Sequence, residues 1–219
     1  MFIGHEGVAF AAKPAVRRVS LGTLVAAAQL ADLLWPIFLL LGWEHVEIVP
    51  GYSAACPLHF THYPITHSLL AMVGWGVAFG GLYYAWRRYL RGAITIAVLV
   101  VSHWFLDLIV HMPDLPLVPG GRGYGLGLWR SIPGTLAVEG TLFVICFWVY
   151  VKACPARDRI GSIGLWGFVV FIVAIWLGGC FGPPPPSERA IGWMGLAMWL
   201  LPLWAGWFDR HRGRTPAGA

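Results

Sequence analysis

The sequence predicts an all-α fold, a polytopic membrane helix bundle of about six transmembrane helices preceded by a short N-terminal half-helix. Composition, long apolar runs and the placement of basic residues carry that expectation. Hydrophobic residues make up 58% of the 219 and charged residues 11%, far below the roughly 25% charged residues of a soluble domain. Apolar runs cover about 20–42, 66–86, 92–112, 133–152, 161–181 and 190–208. Each approaches the roughly 20 residues that a bilayer's hydrocarbon core requires. Backbone groups in lipid must be satisfied within the segment, so these runs are expected as helices, and none shows the alternation of a barrel strand. No repeat or break in composition divides the chain, which reads as a single integral membrane domain, 1–219.

The basic residues order the spans. Lys13, Arg17 and Arg18 precede the first, Arg87, Arg88 and Arg91 separate the second and third, Lys152, Arg157 and Arg159 separate the fourth and fifth, and Arg210, Arg212 and Arg214 follow the sixth. The opposite side holds Arg122, Arg130 and Arg189. Twelve against three, alternating with every crossing, predicts that both termini are cytoplasmic. The net charge of +5 therefore reports orientation. No basic block suits a nucleic-acid backbone, and membrane lipid is the expected partner. The first apolar stretch, following Arg17 and Arg18, is long enough to be a retained helix rather than a signal peptide.

Some residue types need no functional account. Cys56, Cys146, Cys154 and Cys180 lack metal-type spacing and read as apolar filler, with a Cys56–Cys180 bridge left open. Trp35, Trp43, Trp86, Trp129, Trp193 and Trp207 lie near span ends and are expected as interfacial anchors.

Ionisable residues within spans are costly and mark functional sites by default. They are Asp32, His67, His103, Asp107, His111 and Glu139. At a rise of about 1.5 Å per residue from the basic border, Asp32, His103 and Glu139 fall at roughly 18–21 Å, Asp107 near 24 Å, and His67 and His111 near 30 Å. Residues from three helices thus share one depth, and His67 on a fourth lies nearer the outer boundary. In SHWFLDLIVHMPD, His103, Asp107 and His111 recur every four residues and occupy one stripe of about 80°. Imidazole and carboxylate on successive turns suit a divalent metal, whereas the alternative is a hydrogen-bonded pair that pins helices together. His59 and His62, in the loop before His67, are expected to be solvated. The N-terminal GHEGVAFAAKP is too short to span. It either lies on the surface, leaving His5 and Glu6 in water, or dips into the bundle and brings His5 toward Asp32.

At these residues the chain resembles bacterial inner-membrane proteins described as metal-dependent hydrolases. The resemblance rests on His5, Asp32, the Thr66-His67-Ser68 step, and Ser102-His103 with Leu106-Asp107. It extends through FIGHEGVAFAAK, LWPIFLLLG, SHWFLDLIVHMPDLPL and FGPPPP. It implies that the histidines and aspartates are metal ligands, in a scheme distantly similar to zinc-dependent phospholipase C. Some proteins of this kind are described only as permeases. Asp32 stands alone where the family often has a close pair of aspartates.

The reading that follows is a membrane-embedded hydrolase of a lipid-like or phosphoester/ester substrate. His5, Asp32, His67, His103 and Asp107 are the expected ligands of a divalent metal, zinc by preference. Glu139 is the expected general base, with Arg130 and His111 toward the substrate. The alternative is a transporter passing a divalent cation or protons through the same residues, against which stands the lack of a repeat or of Gly/Pro-broken spans. Haem ligation is weaker still, since the carboxylates are as prominent as the histidines and no CxxCH occurs.

Overall fold

The structure is a computed structural model in which residues 1–213 are described. Arg214, counted above with the basic border, lies outside them. Among the described residues five helices are long and apolar enough to cross a membrane, or six if one bent pair is counted as a span.

The chain opens with α1 (Ile3–Ala12), which ends in a 3-10 turn at Lys13–Val16 around Pro14. The first expected span is divided into α2 (Leu21–Ala28) and α3 (Leu30–Leu40), bent by 57° at the break. A hairpin of β1 (His45–Ile48) and antiparallel β2 (Leu58–His62) follows, where the sequence suggested only a polar loop. Next come the single turn α4 (Pro64–His67), then α5 (Leu69–Arg87) and α6 (Leu90–Val110). A two-residue ladder, β3 (Leu115–Pro116) with β4 (Gly123–Tyr124), leads to α7 (Ile132–Ala153) and α8 (Arg159–Phe181). The last crossing, Glu188–Asp209, consists of α9 (Glu188–Leu196), a 3-10 turn and α10 (Leu200–Asp209).

Helix starts follow from local chemistry. Ser20, Ser68, Ser131, Asp158 and Ser187 each accept a hydrogen bond from a backbone N–H three residues on, which satisfies a donor that the first turn leaves free. The Ser68 cap also separates α4 from α5, so His67 sits on its own turn rather than inside a long helix. Outward faces are apolar, with Val77, Leu82, Ile163 and Val170 each about two-thirds exposed, as lipid-facing surfaces are.

The open question about the N-terminus is settled by burial. His5, Glu6, Ala9 and Phe10 have no exposed surface, so α1 enters the bundle. Gly7 permits its close approach to α7, because an added Cβ would lie 3.3 Å from the Phe143 Cα. Phe10 packs among Phe143, Phe147, Tyr150 and Phe168. This insertion also accounts for the broken first span. The sequence offered no pair of Gly/Pro-broken spans, and the break in the first span falls at Gln29, which is neither. The Gln29 amide donates to Glu6 on α1 at 3.2 Å, and the first span bends where it meets the inserted helix.

At the foot of α1 the basic residues gather. Lys13 pairs with Asp209 at 2.6 Å and also donates to the Val19 carbonyl at 2.7 Å. Asp209 further accepts from Leu21 N and Tyr150 Oη. Arg212 lies over the Tyr150 ring and donates to the Gly161 carbonyl, Arg18 lies over Tyr89, and Arg157 donates to the Arg210 carbonyl. The tryptophan expectation divides. Trp43, Trp86, Trp193 and Trp207 are about half or more exposed, but Trp35 is buried against Phe60 and Trp129 packs on His111. The four thiols are unbonded, and burial pushes that of Cys56 up to about 11.

Candidate metal centre

Three elements carry the centre of the cluster. The α3 turn after the Gln29 break supplies Asp32, α4 supplies His67, and the stripe on α6 supplies His103 and Asp107. His67 Nε2 lies 3.4 Å from Asp32 Oδ1 and 3.9 Å from Asp107 Oδ2. His103 Nε2 lies 3.8 Å from Asp32 Oδ1 and 3.0 Å from Asp107 Oδ2. His111, which caps the end of α6, brings its Nε2 to 3.7 Å from Asp107 Oδ2. On the other side, Asp107 Oδ1 faces His5 Nε2 at 3.0 Å and the amino group of Met1. The His5 and His103 rings stack with centroids 3.7 Å apart. Two groups could each hold one ion: His5, His103 and Asp107, and Asp32, His67 and His103.

The hydrogen bonds at the far side of each ring fix what the cluster offers. His103 Nδ1 lies 2.8 Å from the Ala28 carbonyl. A carbonyl only accepts, so Nδ1 carries the proton. That carbonyl is free because the helix breaks after Ala28. His111 Nδ1 lies 3.0 Å from Asp114 Oδ1, again an acceptor. His67 Nδ1 lies 2.6 Å from Thr66 Oγ1, and the Thr66 hydroxyl donates its proton to Glu44 at 2.7 Å. The hydroxyl oxygen must therefore accept from His67. In the neutral ring each Nδ1 proton is thus committed outward, and a bare Nε2 faces the carboxylates. His103 Nε2 has no hydrogen-bond partner although Asp107 Oδ2 is 3.0 Å away. Lone pairs that face each other in a buried site need a proton or a cation between them.

The remaining residues singled out from sequence are placed less centrally. Glu139 is buried on α7 and accepts from Phe2 N at 3.0 Å. It anchors the first turn of α1, where the helix dipole favours a carboxylate, and lines a cavity of about 300 Å³ with Phe2 and Thr135. It is not one of the groups that could share an ion. Arg130 is exposed on the 3-10 turn Leu128–Arg130. Among the described residues it makes no ion pair or hydrogen bond to the cluster. His111 is roofed by Phe60, Tyr63 and Trp129 and its Nε2 lies 3.7 Å from Asp107 Oδ2. His59 and His62 lie on β2 at the surface, His59 beside Glu47.

Sequence reasoning missed the outer partners. Glu44 has no exposed surface and accepts from Ile65 N, Thr66 N and the Thr66 hydroxyl. In sequence it is one more acid in a polar loop, and only the fold buries it. Asp114 did have a signal, since HMPD places it three residues after His111.

The family model described as YdjM inner membrane protein matches residues 5–183, from His5 through the whole cluster. No curated protein and no solved structure matches the chain. The match covers most of the sequence, and this multi-pass membrane protein belongs to the YdjM inner membrane protein family.

Proposed function

We propose that this protein is a membrane-embedded metal-dependent hydrolase of a lipid-like ester or phosphoester, with Asp32, His67, His103, Asp107 and His5 as ligands of a zinc-like ion. The observation that supports this reading best is the convergence of bare imidazole Nε2 atoms on two carboxylate oxygens within 3.0–3.9 Å. Imidazole nitrogen with carboxylate oxygen is a usual donor set for zinc. A divalent ion held there would bring a water's pKa toward neutrality and polarise an ester or phosphoryl oxygen. The chain supplies the rest. Glu44 through Thr66, Asp114 and the Ala28 carbonyl hold His67, His111 and His103 in the ligating tautomer, the role that outer partners play at metal sites. Asp32 is the cluster's accessible edge, its side chain 24% exposed against 3% or less for the histidines and Asp107. Glu139 is the carboxylate assigned to take the proton.

Lipid-product analysis on reconstituted protein tests the reading. Wild type should release product from one lipid class in a chelator-sensitive manner. Glu139→Gln should keep metal and fold, because its amide oxygen still accepts from Phe2 N, while losing turnover. If Glu139→Gln loses metal as completely as His103→Ala, Glu139 is a ligand and the assigned base is wrong. A second reading, transport of a divalent cation or protons, draws support from the broken first span, since discontinuous helices form many carrier sites. Cation flux into liposomes without any change in the lipid would establish it in place of the hydrolase.

A further inference from the structure

The cluster is sealed on most sides. His111 lies beneath Phe60 and Trp129, His5 is inside α1, and His103 is fully buried. Only Asp32 opens outward, and it opens into an apolar cavity of about 620 Å³ between α3, α8 and the last crossing. Its walls include Trp35, Pro36, Ile175, Gly179 and Met198. That volume is in the range of built ligand sites, and Asp32 is the one ionisable side chain along it. The rim residues Phe171, Ile175 and Met194 are 45–68% exposed on the apolar outer surface of spanning helices. Leu58, Pro183 and Pro185 line the cavity toward the outer loops, and the exposed apolar rim on α8 and α9 faces the hydrocarbon.

We infer that this cavity seats a hydrocarbon chain of a bilayer lipid, which enters sideways between α8 and α9 and brings its ester or phosphate end to Asp32. The occupant follows from where the mouth opens, because molecules at that depth are lipids and an apolar wall with one terminal polar group matches a chain with one polar end. The inference rests on the hydrolase reading for the fate of the lipid, but not for its seat.

Gly178 and Gly179 make the test clean. Both line the cavity, and an added Cβ at either meets nothing within 4 Å. Leucine there intrudes on the cavity without displacing the protein. The control is Gly81→Leu, on the exposed face of α5 with equally open space. The probe is a phosphatidylethanolamine with a diazirine at one acyl terminus, in vesicles of phosphatidylethanolamine and phosphatidylglycerol. After illumination, peptide mapping of wild type and Gly81→Leu should place adducts on cavity residues such as Met194 and Met198. Gly179→Leu and Gly178→Leu should lose those adducts while keeping wild-type metal content and melting temperature. Adducts spread evenly over all lipid-facing helices, or unchanged in both leucine variants, overturn the inference. Product formation undiminished in both variants overturns it too, and leaves the hydrolase reading standing. Cavity adducts with no product from wild type confirm the seat and sink the hydrolase.

Discussion

Two polar clusters lie at opposite ends of α1, and they are built on opposite principles. At its foot, Lys13, Asp209, Tyr150 and Leu21 N form a closed set in which donors and acceptors match. At its head, His67, His103 and His111 present lone pairs to Asp32 and Asp107, and His103 Nε2 has no partner. The first arrangement is complete as a structural joint, holding the inserted helix to the last crossing and to α2. The second sets two carboxylates, Asp32 and Asp107, against one cation, the Met1 amino group. Burial alone therefore does not mark function here; the balance of donors and acceptors does.

The largest expected effect is at the foot. Removing one member of a buried ion pair strands the other, a loss of about 3–5 kcal/mol. Lys13→Met should lower stability by that order, read as thermal unfolding in detergent, and Lys13→Met/Asp209→Leu should recover much of it. Neither variant should change the metal bound per folded molecule. A loss of metal in the folded double variant would mean that the two clusters are not separate devices.

At the head, stability should depend on added metal. Zinc at about 100 times its dissociation constant stabilises a folded protein by about 2.7 kcal/mol. Wild type should show a rise in melting temperature of that origin, and His103→Ala should show none. Without metal, His103→Ala should also lose stability, because the Ala28 carbonyl loses its donor, so the metal-dependent rise in each protein is the quantity compared.

How much of this was legible beforehand differs between the two clusters. The spans followed from apolar runs because a bilayer imposes length and composition on each helix locally. The matching depth of Asp32, His103 and Glu139 was countable for the same reason, since depth is counted along each helix. Whether a residue is a ligand or a prop is decided between helices. Glu139 matches the others in depth, but its contact with Phe2 N lies across to α1 and could not be read along α7. Glu44 lay beyond any span, and its burial goes with its hydrogen bonds to the α4 turn at Ile65 and Thr66, which the sequence does not show. The break at Gln29 carries no Gly or Pro and results from packing against α1. The side of the membrane on which the basic end lies remains the prediction of the charge bias.

A finer test separates the outer supports from the ligands. Glu44→Gln keeps one oxygen for the Ile65 and Thr66 N–H groups but turns its NH2, a donor, toward the Thr66 hydroxyl, which is then no longer obliged to accept from His67. Metal affinity should fall about 10–100-fold, the usual cost of losing an outer partner, with little change in metal-free melting temperature. A titration with a chromophoric chelator reads it, and unchanged affinity would remove Glu44 from the account.

The smallest effect is at the surface of the basic end. Asp158 caps α8, and the Gly161 N–H with His211 beside it hold its carboxyl below the usual 3.8. A depressed folded value stabilises the protein above the unfolded one, and the contribution is lost as pH falls through the folded value. Wild type and Asp158→Ala should thus differ slightly but constantly above about pH 5 and converge in stronger acid. A difference that persists unchanged at the lowest pH would point to packing rather than to the carboxylate.

The central claim is that the head cluster is short of a cation, and metal content measures that most directly. Wild type and His103→Ala, purified in detergent, equilibrated with zinc and freed of excess, would be compared by elemental analysis. One or two zinc ions per wild-type chain, absent from the variant while the variant stays folded, is the result the geometry predicts. Equal zinc in both proteins, or none in either, would contradict it.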